Sequence, residues 1–171
     1  EAPQPNDEFP MTLFIGMPDD EYYRTGHRFI PELRARAQDP TFFLSEGDAA
    51  AMDIGEGDWV RVTTSNGTMV ARVFVRSSMP KGLVRVPHGW WNPEASFNMK
   101  SMSGMWHFSD AQLTPDDDPD WLDAEQGIPH MKGMRCAIER LSTEEVAALE
   151  AEYGKTDKLP RGPEGKVLRS D

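Results

Sequence analysis

Cysteine is almost missing from this chain: Cys136 is the only one in 171 residues. A lone thiol builds no disulfide framework, no zinc ribbon and no iron–sulfur ligand set, so none of these organises the fold. Long apolar runs are lacking too. No stretch approaches the ~20 residues that cross a bilayer as a helix, so no direct membrane span is expected, and no charged segment followed by an apolar core opens the sequence. Basic residues are in deficit, with 18 Lys and Arg against 29 Asp and Glu and a formal net charge of −11. A nucleic-acid partner would need a basic face that releases phosphate counterions, which argues against that class. GxGxxG, P-loop, GxSxG and HExxH patterns are all absent.

What is present describes a globular domain rich in turns. Hydrophobic residues make up 38% and charged residues 27%, with 14 Pro and 14 Gly. The length suits one domain with a sizeable core. "EAPQPNDE" (1–8) reads as a linker. "MTLFIG" (11–16) reads as a buried strand and 17–28 as a long ordered loop. "FIPELRARAQDP" offers one or two helical turns ended before Pro40. In "SEGDAAAMDIG", Ser45 and Asp48 form a capping box, "DAAAM" favours helix and Gly55 closes it. Two alternating runs in 58–76 flank Asn66-Gly67, the signal for a hairpin with a type I′ turn. Met69, Ala71, Val73 and Val75 belong to one face, Val70, Arg72, Phe74 and Arg76 to the other. "MPKG" (79–82) turns the chain into a strand at 83–87, and 131–141 reads as the last strand. Residues 95–106 read as an extended cover, and 114–127 as an acidic loop whose spacing fits no calcium site. Ser142 and Glu145 cap a helix whose Val146, Leu149 and Tyr153 share a face. The last residues, 155–171, read as a mobile tail.

Two clusters carry chemistry, both placed after strands. One is Tyr22, Tyr23, Arg24, Thr25, Gly26, His27 and Arg28; the other is His88, Gly89, Trp90, Trp91 and Asn92 in "PHGWWNPE". Guanidiniums and backbone N–H groups suit phosphate oxygens, while flat rings suit a planar heterocycle. Loops on rigid scaffolds are where binding groups concentrate. Each residue also has a structural reading, an Arg as an ion-pair partner and a Trp as a core anchor. Neither His stands at a spacing that certifies a Ser, Cys or carboxylate partner, so no catalytic residue and no metal ligand is assigned. The residues alone describe a β-rich binding domain for a planar anionic ligand.

The order of segments adds more. "FPMTLFIG", "YYRTGHR", "EGDAAAMDIGEGDWVRV", the Asn-Gly hairpin and "GLVRVPHGWW" together resemble the C-terminal domain of the dimethyl sulfoxide reductase family of molybdenum and tungsten enzymes, over about residues 9–141. "RFIPELR", "HGWWNPE" and "QGIPHMKGMRCAIERL" are similar to the acetylene hydratase and thiosulfate or polysulfide reductase branch. The resemblance implies a mainly β fold, a six-stranded double-psi β-barrel with short peripheral helices. It implies molybdopterin guanine dinucleotide as cofactor, with molybdenum or tungsten held by other domains of a parent catalytic subunit. An iron–sulfur electron-transfer subunit is a further partner it implies. The domains expected are the linker at 1–8, the barrel at 9–141, a helix at 142–154 and the tail. By position, Arg24, Thr25, Gly26, His27 and Arg28 would meet pyrophosphate and pterin, and His88, Gly89 and Trp90 would line a second approach. The pattern departs at Met17, Arg24, Ser109 and Ala111, with Asp110 or Gln112 as substitutes for an expected Asn. A stand-alone double-psi barrel acting as a protein-interaction adaptor is the alternative reading. A free-standing enzyme ranks last, because no nucleophile at a Gly-Ser junction is found.

Overall fold

Alternation of branched apolar and polar residues builds the central hairpin of the computed structural model, which describes residues 6–16, 21–22, 25–93, 102–115 and 118–153. Strand β3 (Trp59–Thr63) pairs antiparallel with β4 (Thr68–Arg76), Thr63 opposite Thr68. Met69, Ala71 and Val73 are fully buried, as the alternation predicts. Val75 is only half-buried, whereas Phe74 on the other face is buried, its ring 6.1 Å from that of Phe43. The turn departs from the type I′ expectation. Neither Asn66 nor Gly67 has a positive φ, and a wider loop closes with Thr64 N–H donating to Gly67 O at 2.9 Å. Gly67 is needed for room instead, since a Cβ there would overlap the carbonyl oxygen of Gln112.

Four further strands close the barrel: β1 (Met11–Ile15), β2 (Thr41–Ser45), β5 (Leu83–Val86) and β6 (Lys132–Arg140). Around it the order is β1-β5-β2-β4-β3-β6, with β6 returning to β1. Only β1/β5 and β2/β4 are parallel pairs. This is the six-stranded double-psi arrangement. Strand β2 carries no sequence signal of its own, because four of its five residues are buried and "TFFLS" therefore does not alternate.

Short helices sit at the rim. α1 (Pro31–Arg34) opens on its Pro, whose fixed φ suits the first turn. α2 (Glu46–Ala51) is capped as expected: Ser45 Oγ accepts from Asp48 N–H at 3.1 Å and donates to Asp48 Oδ2 at 2.7 Å. It ends earlier than the Gly55 expectation. Asp53 adopts φ 53°, and Ile54 N–H donates to Ala49 O at 2.9 Å, the six-to-one bond of a Schellman end with buried Ile54 as its apolar contact.

Of the extended cover expected at 95–106, residues 94–101 lie outside the described ones, and the remainder is turn and helix rather than extended. A left-handed turn at Met102–Gly104, with φ 46°, 54° and 77°, leads into α3 (Met105–Phe108), and a 3₁₀ turn at Asp110–Gln112 follows. α4 (Thr143–Tyr153) has its capping box, Ser142 N–H donating to Glu145 Oε2 at 2.8 Å and Glu145 N–H to Ser142 Oγ at 3.3 Å. Its Val146, Leu149 and Tyr153 pack against Trp59, Phe108 and Leu141, so the apolar face is used within the chain.

Two apolar clusters result. The first fills the barrel with Leu13, Leu44, Val60, Val62, Val84 and their neighbours, aliphatic or sulfur-bearing apart from Phe42. The second, Tyr22, Ala37, Trp59, Trp90, Phe108 and Leu141, lies under the rim and is mainly aromatic. Cys136 is buried in the barrel, and that burial pushes its thiol up to about 12, so it stays an inert packing group. Among the described residues, no helix is long and apolar enough to cross a membrane.

Candidate functional site

Because β1 and β5 run parallel, their C-terminal ends emerge side by side, and Gly16 N–H donates to Val86 O at 3.0 Å. Each end feeds one of the two clusters singled out in the sequence, which meet as a result. Trp91 Nε1–H donates to Thr25 O at 2.7 Å. Gly89 adopts φ +73°, and a Cβ on it would lie 2.5 Å from Thr25 Cγ2. Glycine is required there twice over, by conformation and by close approach.

Arg28 is the centre of the assembly. It is 0% exposed, with its guanidinium 4.5 Å from the ring centre of Tyr22 and 4.3 Å from that of Trp90, itself 1% exposed. Tyr22 and Trp90 meet edge to face at 5.9 Å, and the Tyr22 hydroxyl donates to Ala37 O at 2.5 Å. A guanidinium between two aromatic faces is a cation–π clamp, ~2 kcal/mol or more once desolvated. One strand end is thereby bolted to the other. Arg34 extends the connection by donating to Asn92 Oδ1 at 2.5 Å and to Ala37 O at 3.0 Å, while Asn92 N–H donates to Ser103 O at 2.7 Å.

The second loop is held from below by Asp110, 2% exposed. Its Oδ1 accepts from Gly89 N–H at 2.7 Å, and its Oδ2 lies 2.8 Å from His88 Nδ1. Both carboxylate oxygens are committed, and the His ring is fixed by its inner nitrogen with a third of the side chain exposed. Asp110 is placed in turn by the hairpin: Thr64 Oγ1–H donates to Leu113 O at 2.9 Å, and Gly67 leaves room for Gln112.

The structure divides the anticipated residues into two groups. Arg24 lies outside the described ones. Thr25 and His27 are exposed, Gly26 and His88 half-exposed, and His27 adopts φ 71°. Arg28 and Trp90 are interior, and Gly89 is packed against Thr25. Among the described residues, the N–H groups of Thr25, Gly26 and His27 meet no acceptor. Arg34 and Ser103 were not singled out in the sequence, and nothing local marks them. Asp110 was reached only as a stand-in for an expected Asn; its carboxylate takes the N–H of Gly89 and faces the His88 ring.

Residues 13–121 match the family described as the molydopterin dinucleotide binding domain. The chain belongs to that family. Its cofactor is molybdopterin guanine dinucleotide. Among curated relatives it is 32% identical to acetylene hydratase of Syntrophotalea acetylenica over 128 residues, 74% of this chain and 17% of the relative. It is 28% identical to dopamine dehydroxylase of Eggerthella lenta over 60% of this chain and 10% of the relative. The solved structure of acetylene hydratase from Pelobacter acetylenicus superposes with a TM-score of 0.73 at 28% identity, over 78% of this chain and 18% of that one. This molydopterin dinucleotide binding domain thus spans about a sixth of the length of acetylene hydratase.

The residues present fit the family's cofactor. Phosphate needs donors, and the N–H groups of Thr25, Gly26 and His27 meet no acceptor among the described residues, with His27 in the left-handed region. The Thr25 hydroxyl and the His88 ring add side-chain groups beside them.

Proposed function

We propose that the two loops, 25–28 and 88–91, are the face that closes over molybdopterin guanine dinucleotide in a molybdenum- or tungsten-dependent oxidoreductase. The observation that carries this assignment is the row of N–H groups at Thr25, Gly26 and His27 that meet no acceptor among the described residues, on the loop to which Gly89 and Trp91 are joined. Thr25, Gly26, His27 and His88 contact the cofactor, joined by Arg24. Arg28, Gly89, Trp90 and Asp110 hold those contacts in place. The bound group would supply the redox or hydration chemistry at its metal; this chain binds, orients and shields it, and has no catalytic residue of its own.

The barrel unit spans 9–141, preceded by a linker at 1–8 and followed by a helix at 142–154 and a tail at 155–171. The remaining domains of a longer catalytic subunit hold the metal, a reading supported by the matched segment's being only 17% of acetylene hydratase. An iron–sulfur subunit exchanges electrons with that parent. The adaptor reading is weaker, because the apolar face of α4 that would serve for docking is spent on the chain's own second cluster.

The test is cofactor content in the polypeptide that carries this sequence. His88→Ala and Thr25→Val are expected to lower bound pterin and guanine nucleotide at unchanged circular dichroism. Wild-type content in both variants would remove the loops from the contact surface.

A further inference from the structure

The tip of the central hairpin carries a reactive pair that the assigned function does not use. Asn66 and Gly67 sit between β3 and β4, with Asn66 exposed and Gly67 half-buried. The usual reason for Asn-Gly at such a tip is conformational, since both residues accept a positive φ. Neither adopts one here. What remains is chemistry: the backbone nitrogen that follows an Asn can attack that residue's own side-chain amide, and Gly hinders the approach least because it has no Cβ.

The loop leaves both reacting groups available. Its closing bonds run from Thr64 N–H to Gly67 O at 2.9 Å and from Asn66 N–H to Thr64 Oγ1 at 3.2 Å, and Gly67 N–H donates to no described residue. The Asn66 side-chain amide reaches Ser65 Oγ at 3.3 Å and Leu113 O at 3.5 Å, both longer than an ordinary N–H···O bond, so little holds it against rotation. The contrast with Asn92 is complete. That residue is buried, its Oδ1 is taken by Arg34, and it precedes Pro93, which has no N–H to attack.

We infer that Asn66 is a site of spontaneous deamidation, and that its product loosens the support beneath His88. Gly67 N bonds to Asn66 Cγ, the Cγ–Nδ2 bond breaks, and Nδ2 leaves as ammonia with the proton from Gly67 N, closing a succinimide ring. Water then opens the ring. Cleavage between nitrogen and Cγ leaves aspartate; cleavage at the Asn66 main-chain carbonyl leaves isoaspartate, with the chain rerouted through the former side chain. Water enters, ammonia departs, and nothing is oxidised or reduced. Either product turns the donor that reaches Leu113 O into an acceptor-only carboxylate. The longer isoaspartyl backbone must also be fitted where a Cβ on Gly67 would already overlap Gln112 O. Gln112 shares its 3₁₀ turn with Asp110, whose carboxylate takes the Gly89 N–H and faces His88. The modification thus reaches the two loops from behind, and its chemistry stands apart from the cofactor reading.

The experiment is prolonged incubation of the native polypeptide that contains this sequence in mildly alkaline buffer, followed by peptide mapping and detection of isoaspartate with isoaspartyl methyltransferase. The peptide bearing Asn66 is expected to lose its amide before those bearing Asn6, Asn92 or Asn98, yielding isoaspartate as well as aspartate. As it converts, hydrogen exchange at the Gly89 amide should rise severalfold. Asn66→Gln, whose longer side chain closes a ring far more slowly, should keep both its amide and slow Gly89 exchange through the same incubation. An Asn66 amide that outlasts those of the other asparagines would overturn the site. Complete conversion with Gly89 exchange unchanged would overturn its link to His88. Neither result touches the cofactor reading, which stands or falls with the cofactor content of His88→Ala and Thr25→Val.

Discussion

The barrel interior and the rim beneath the two loops are built by different means. Inside the barrel, Leu13, Val60, Val62, Val73 and Val84 are fully buried aliphatics delivered by strand periodicity, and backbone ladders satisfy the polar groups around them. Under the rim, Tyr22 and Trp90 hold a buried Arg28 between them, with Trp59 and Phe108 in the same aromatic cluster, and order depends on ring–cation contacts and single hydrogen bonds to Ala37, Asn92 and Asp110. The first is a continuous packed core whose members support one another; the second depends on a few groups at a time. A cofactor-binding surface gains from this division, because the scaffold fixes where the strands end while the rim fixes how the loops face.

Substitutions in the two regions should therefore behave differently. Leu13→Ala is expected to cost about 2–5 kcal/mol of global stability, the range for emptying a packed aliphatic site, with both arms of the denaturant curve still cooperative. Arg28→Ala should cost about 2–4 kcal/mol from the lost clamp and the cavity left between the rings. Its mark is local: hydrogen exchange should rise at the bonded amides of Ile30, Gly89 and Asn92 while the amides of β3 and β4 stay protected. Uniform loss of protection would erase the distinction between the two regions. Arg28→Lys should rescue only part, since an ammonium does not stack on two faces.

Smaller effects sharpen the same contrast. Gly67→Ala must displace Gln112 and with it Asp110; about 1–3 kcal/mol is expected, the range for overpacking, together with a shifted His88 ring signal by NMR. Asp110→Asn should cost about 1.5–3 kcal/mol, the range for hydrogen bonds to charged groups, and change the tautomer of His88. An unchanged ring nitrogen spectrum would show that Asp110 does not orient it.

The smallest effect lies at the edge of the second cluster. Glu145 bonds Arg61 and Ser142, which hold its carboxyl down at about 2 from an ordinary 4.5. A folded value below the unfolded one means that the contribution is present above about 4.5 and is lost as pH falls toward 2. Glu145→Gln should flatten the acid limb of the stability curve in that window by lowering stability above about pH 4.5, a small loss because the pair is exposed.

The barrel was legible for the reason it is robust. Strict alternation in 58–76, "MTLFIG" and "GLVRV" each announce a strand, and Ser45 and Ser142 announce caps, because these are local rules. Strand β2 escaped because burial on both faces erases alternation, and the 102–112 segment because its short turns have no period to read. Asn66-Gly67 announced the hairpin correctly but for another cause, with Gly67 serving space rather than φ. At the rim, the sequence displayed Arg28, His88 and Trp90 but not their division of labour. Which Arg is sandwiched and which ring is exposed depends on partners brought in by the fold, Trp90 as well as the nearer Tyr22 for Arg28, and Asp110 for His88. No local pattern encodes that.

The measurement that bears most directly on the account is hydrogen exchange in the parent polypeptide, compared with and without bound molybdopterin guanine dinucleotide. The account predicts slowed exchange at the amides of Thr25, Gly26 and His27 when the cofactor is loaded, with Gly89, already bonded to Asp110, changed far less. Protection that appears elsewhere on the barrel and leaves 25–27 untouched would contradict it.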